Sequence, residues 1–170
     1  MRASIIMILA VITSTAMYAQ EAPAQSRQAE RLPPAIEKKV TVNASVEDVW
    51  KYLSNISNYQ EYANTKESRS SGSEMGTEMM VKSQGGNSRK QVITANVEQL
   101  HRVSFKVIES DYKLEKPANI LFEVKKLGTQ TKCEVVLSVY YGFNELPAKA
   151  KTDLTQELEN ISKALAKKFP

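Results

Sequence analysis

Apolar and polar positions alternate along this chain with two different periods, and each change of period marks a new element. Ile36, Lys38, Val40 and Val42 alternate with Glu37, Lys39, Thr41 and Asn43, the period of a strand buried on one side. Ser45 then stands where a helix cap would, with Asp48 three residues later. Val46, Val49, Trp50 and Leu53 give the following helix an apolar face as far as about Asn55. Ile56, Tyr59 and Tyr62, spaced by threes, predict a second short helical piece ending near Ala63.

From Thr65 the period becomes two. Lys66 to Ser71 reads as a polar strand, Gly72-Ser73 as a turn, and Met75, Thr77, Met79 and Val81 as one face of the next strand. Gly85-Gly86-Asn87 is a hairpin signal. Arg89, Gln91, Ile93, Ala95 and Val97 alternate next and, after a turn at Gln99 to His101, so do Val103, Phe105 and Val107. A longer connection from Asp111 to Pro117 carries Tyr112. Ala118, Ile120, Phe122 and Val124 follow, then a turn at Gly128-Thr129, then the longest series, Cys133, Val135, Leu137, Val139, Tyr141 and Phe143.

The helical period returns at the end. Leu146, Ala150, Leu154, Leu158, Ile161, Leu165 and Phe169 fall on one face, while Lys149, Asp153, Glu159, Lys163 and Lys167 point elsewhere. A helix with such a stripe must lie on something, and the strands are the natural partner. Consecutive hairpins ending in a helix predict an α+β fold with an antiparallel sheet of about seven strands and two short helices after the first strand, not a parallel Rossmann arrangement.

The first residues follow a different logic. Arg2 precedes the apolar run Ile5-Ile6-Met7-Ile8-Leu9-Ala10-Val11-Ile12, and small and polar residues continue to Ala19, the order of a secretory signal peptide. Cleavage after Ala16 or after Ala19 both suit the pattern. The apolar run falls short of the roughly 20 residues a membrane span needs. The absence of a cysteine near the cut excludes a lipoprotein anchor. Residues 20–35, with Pro23, Pro33 and Pro34 and no apolar periodicity, read as a flexible linker, leaving one domain over residues 36–170. The formal charge of +4, or +3 once Arg2 is removed, favours solubility more than a polyanionic partner. Export thus places the protein in the periplasm or outside the cell. Cys133 is the single cysteine, so the exported domain has no internal disulfide.

Groups suited to catalysis are scarce. His101 is the single histidine and sits in a turn, and Cys133 has no second histidine to activate it. One histidine and one cysteine cannot complete a zinc site, and no cofactor motif is present. The carboxylate pairs Glu47/Asp48 and Glu157/Glu159 are assigned to solvent faces of their helices. Gly85-Gly86 lacks the lysine and the following helix of a phosphate loop. Lys125, Lys126, Lys132, Lys149, Lys151, Lys163, Lys167 and Lys168 could aid transient contact with an anionic membrane. They alternate with acidic residues and lack a row of aromatic side chains, which argues against nucleic acid.

The stretch from Val40 to Tyr59, a strand, a small-residue cap at Ser45, a Val49-Trp50 helix and an Asn55 turn, resembles the START-like or Bet v 1-like superfamily. This group is also called SRPBCC and includes the polyketide cyclase/dehydrase and lipid-transport proteins. The order of elements resembles it over essentially all of residues 36–170. Gln60-Glu61-Tyr62 stands where many relatives carry Pro-Glu-Trp or similar. The resemblance implies a curved sheet gripping the long helix, with an apolar cavity between them that binds lipids, polyketides or aromatic molecules, and in a minority of members supports chemistry.

Met79, Val81, Phe105, Phe122, Val124, Leu137, Val139 and Tyr141 share the inward parity of their strands, and Leu154, Leu158 and Ile161 face them from the helix. Thr77, Arg89 and Gln91 add polar groups of the same parity, and Arg89 would suit a carboxylate or phosphate head group unless it reaches water at its strand end. The leading reading is an exported, non-enzymatic binding protein for an apolar or amphipathic small molecule. A cyclase or dehydratase in which Tyr141 or Arg89 polarises a carbonyl is the second. An envelope protein that binds a partner through its tail helix or the 65–73 strand, with a filled core, is the third.

Overall fold

The computed structural model describes residues 33–128, 131–142 and 145–170; the leader, most of the linker, Thr129 and Phe143 lie outside them. Strand β1 spans Ile36–Val42 and is followed by helix α1, Val46–Ser54. The cap expected at Ser45 is formed: its hydroxyl accepts from the Asp48 backbone N–H at 3.1 Å and donates to the Asp48 carboxylate at 2.7 Å. Val46, Val49, Trp50, Tyr52 and Leu53 are all buried. A 3-10 turn, Ile56–Asn58, then leads into the short helix α2, Tyr59–Ala63, which ends on Asn64 in the left-handed region.

Six strands follow: β2 Glu67–Ser70, β3 Glu78–Lys82, β4 Ser88–Val97, β5 Arg102–Ser110, β6 Ala118–Lys126 and β7 Cys133–Tyr141. The final element is the long helix α3, Ala148–Lys168. The strands form one sheet in the order β1-β7-β6-β5-β4-β3-β2, with each neighbouring pair antiparallel. Every pairing from β2 to β7 joins consecutive strands. The exception is β1, which pairs with β7 from Ile36 opposite Val139 to Val42 opposite Cys133.

This register assembles the inner face. Ile36, Val139, Ile120, Phe105 and Ile93 are successive cross-strand partners from β1 to β4, and Leu137, Phe122 and Val103 make a parallel row beside them. α3 lies on these rows through Ala150, Leu154, Leu158, Ile161 and Leu165, which are all buried. Leu146 is buried just before the helix, and Phe169, just after it, meets the Tyr52 ring edge-on at 6.0 Å. The predicted stripe therefore runs past both ends of the helix.

Two expectations need correcting. Met75 does not share a strand face with Met79: it lies in the β2–β3 loop and is 74% exposed, because the chain turns at Gly76 (φ 88°) before β3 begins at Glu78. Ala95 is only half-buried, since register shifts at Lys90/Gln91 and Ile93/Ala95 interrupt the strict alternation of β4. Leu158 sits under the sheet at the middle of α3, so Leu158→Ala is expected to cost about 2–5 kcal/mol. Urea unfolding measures this; a loss below ~1 kcal/mol would show that α3 does not seal the core.

Candidate functional site

The centre of the sheet–helix interface is polar. Arg89 on β4 is 1% exposed and Glu157 on α3 is 3% exposed. The Arg89 Nη1 donates to Glu157 Oε2 at 2.9 Å and its Nη2 to Glu157 Oε1 at 2.7 Å, a bidentate pair. Two further donors of the guanidinium are used as well. Nη2 also donates to the Tyr59 hydroxyl at 3.1 Å, and Nε donates to Gln91 Oε1 at 2.8 Å. Tyr59 in turn donates to Glu157 Oε1 at 2.5 Å, so sheet, α2 and α3 meet in one cluster.

Apolar and aromatic groups enclose it. The Tyr59 ring lies 5.6 Å from that of Phe105, 6.4 Å from Phe122 and 5.2 Å from Tyr62. Met79 sulfur contacts Gln91 Nε2 at 3.5 Å. In this setting burial opposes the charge on Arg89, but Glu157 and Tyr59 outweigh it and hold the guanidinium firmly protonated. Burial, then the adjacent Glu157 carboxylate, push the Tyr59 hydroxyl well above its ordinary value, so it remains a neutral donor.

Glu157 is the main correction to the sequence reading, which placed it with Glu159 on a solvent face. It stands three residues after Leu154 and four before Ile161, on the inward stripe, and is buried because Arg89 neutralises it. Glu159 does lie at the edge, 3.0 Å from Lys38. Arg89 likewise does not reach water; the carboxylate it suits is one from its own chain.

The other predicted cavity residues are placed as follows. Met79, Val81, Gln91, Phe105, Phe122, Leu137, Val139, Leu154, Leu158 and Ile161 are buried together in the interface, with Val124 in the same core. Tyr141 is buried at its end, where its hydroxyl accepts from the Glu115 N–H at 3.2 Å. Thr77 is not brought into this group: it lies half-buried before β3, its backbone carbonyl accepting from Ile93. Tyr59, which sequence reasoning treated only as part of an apolar helical face, is central.

Above Glu157 the rim is closed by Asp153, one turn earlier on α3. Its carboxylate accepts from Ser83 Oγ at 2.7 Å and Asn87 Nδ2 at 2.6 Å in the β3–β4 hairpin, and from the Tyr112 hydroxyl at 3.2 Å in the β5–β6 connection. A cleft of about 40 Å³ remains between this hairpin, the end of α2 and α3, lined by Thr65, Ser83, Asp153, Glu157 and Asn160 among others. A separate, wide groove of about 560 Å³ lies outside the interface, where α1 meets the β4–β5 turn and His101 packs edge-on against Trp50. Cys133 is buried, which raises its thiol pKa, with Glu47 adding to the effect.

An open antiparallel sheet wrapped on a C-terminal helix, with two short helices after the first strand, is the helix-grip, Bet v 1-like fold. The model of the family described as polyketide cyclase / dehydrase and lipid transport matches residues 33–168, and the chain belongs to that family. Among solved structures it is similar to a protein from Nitrosospira multiformis, at 15% identity and a TM-score of 0.64, covering 79% of this chain and 95% of that one. It is also similar to norcoclaurine synthase from Thalictrum flavum in complex with dopamine and hydroxybenzaldehyde, at 18% identity and a TM-score of 0.62, covering 78% and 83%. A protein from Thermobifida fusca is similar at 15% identity and a TM-score of 0.61, covering 78% and 91%. No curated protein matches in sequence.

Two measurements probe the cluster. Glu157→Ala leaves Arg89 buried without its counter-ion and is expected to cost about 3–5 kcal/mol, whereas Arg89→Met combined with Glu157→Leu should recover most of that in urea unfolding. Equal losses in the single and double variants would contradict the pairing. In an alkaline titration, burial and then nearby Glu61 hold Tyr52 up to about 12, and burial, against the opposing pull of Arg89, holds Tyr112 up to about 12. Raised folded-state values contribute stability that is complete below the ordinary tyrosine value of ~10 and is lost as pH rises towards the folded values. Tyrosinate absorbance should therefore lag behind free tyrosine between pH ~10 and ~12; a titration matching free tyrosine throughout would refute the burial.

Proposed function

We propose that this chain is an exported binding protein that holds a small amphipathic molecule between the sheet and α3, with the polar end of the molecule at the Arg89–Glu157–Tyr59 cluster. The cluster carries the reading. Purely structural packing at this point would be served as well by apolar side chains of similar volume, which commonly equal or exceed a buried ion pair in stability. A few fixed polar groups within an aromatic and aliphatic wall are, by contrast, how a pocket orients a ligand. Family membership supports the same class of function, and a protein of similar fold was solved with dopamine and hydroxybenzaldehyde.

In this reading the apolar part of the ligand replaces side-chain contacts on the inner face, at roughly 25 cal/mol per Å² removed from water. Entry is at the rim, by release of the β3–β4 hairpin and the 111–117 connection from α3. The leader, cut after Ala16 or Ala19, delivers the protein to the envelope. The resident molecule acts as cargo, and no side chain is assigned to a chemical step.

Native mass spectrometry of the full chain exported with its own leader, before and after organic extraction, tests both parts. A discrete extractable mass on a chain beginning at Met17 or Gln20 is expected. Phe122→Trp, which fills the inner face, should reduce that adduct at least five-fold while circular dichroism is retained. A bare wild-type chain, or one still beginning at Met1, would overturn the carrier reading or its export respectively.

A further inference from the structure

Thr65 is 6% exposed and its hydroxyl has no hydrogen-bond partner among the described residues. Buried hydroxyls are ordinarily paired, so an unpaired one indicates a group that is missing from its surroundings. Thr65 lines the small cleft beside Asp153, Glu157 and Asn160. The charges there are unequal. Glu157 is neutralised by Arg89, but the partners of Asp153 among the described residues, Ser83, Asn87 and Tyr112, are all uncharged, and no Lys or Arg lines the cleft. The space therefore combines an unused hydroxyl, a half-buried carboxylate whose three partners are neutral and one face of a second carboxylate.

We infer that this cleft is a binding site for a primary ammonium group. An ammonium is about the size of a water molecule and fits the cleft, whereas a quaternary nitrogen has no N–H to donate there. Its three N–H donors find acceptors among Thr65, Asp153 and Glu157, all of which have lone pairs to offer. A water molecule could satisfy Thr65, but an ammonium also adds a charge attracted to both carboxylates. The site lies at the rim and stands independently of the carrier reading, because a free small amine would occupy it with the interface closed.

Titrating the full chain with methylammonium chloride, and following the backbone amide resonances of Thr65 and Asp153, tests the assignment, with tetramethylammonium chloride at equal ionic strength as control. Saturable shifts with methylammonium alone are expected, weakened at least ten-fold in Thr65→Val and in Asp153→Asn. Identical responses to the two salts, unchanged affinity in both variants, or no response because the cleft holds only water would each overturn it. n-Octylammonium separates the sources of the group. Ten-fold tighter binding than methylammonium would identify the ammonium as the head of an amphiphile, and equal binding would identify a free small amine; either supports the site.

Discussion

The pairing of Arg89 with Glu157 constrains everything around it. A guanidinium and a carboxylate withdrawn from water cost several kcal/mol each, and their attraction offsets this only when geometry is close to ideal and the remaining donors are used. Here the pair is bidentate, and two further guanidinium donors are satisfied by Gln91 and Tyr59. Gln91 comes from the same strand, Tyr59 from the short helix and Glu157 from the long one. The relative placement of sheet, α2 and α3 is thus fixed by hydrogen-bond geometry, where apolar contacts alone would tolerate sliding.

The aromatic side chains gain their arrangement from that fixed point. Tyr59 is held by its hydroxyl at one end, and its ring organises Phe105, Phe122 and Tyr62 around it. Asp153, one helical turn from Glu157, extends the same polar line to the surface and ties two loops to α3. Sheet interior, short helix and rim are therefore joined through α3 by hydrogen-bonded groups.

Much of the fold was legible because most elements announce themselves by period: the α3 stripe, the Ser45 cap and the strand alternation all correspond to observed structure. Boundaries were less so where glycine or a bulge interrupts the period, as at Met75 and Ala95. The site was half legible. The inward parity of Arg89 and Gln91 was read correctly, but Glu157 was assigned to solvent by residue type, although its spacing from Leu154 and Ile161 puts it on the inner stripe. Two opposite charges on facing inner surfaces were the available signal for the pair. Nothing in the sequence marks Thr65 as unpaired, since that depends on how the hairpin and α3 close around it.

The pairing of β1 with β7 has a bearing on synthesis. The first strand of the domain has no partner until the last strand exists, and Arg89 has no counter-ion until α3 has been made. A nascent chain lacking its final residues thus has neither a completed sheet nor a neutral core, and contacts so distant in sequence are slow to form. The hairpins from β2 to β6 can pair locally before that, but the sheet gains its last edge and the core its counter-ion only when the final two elements are complete.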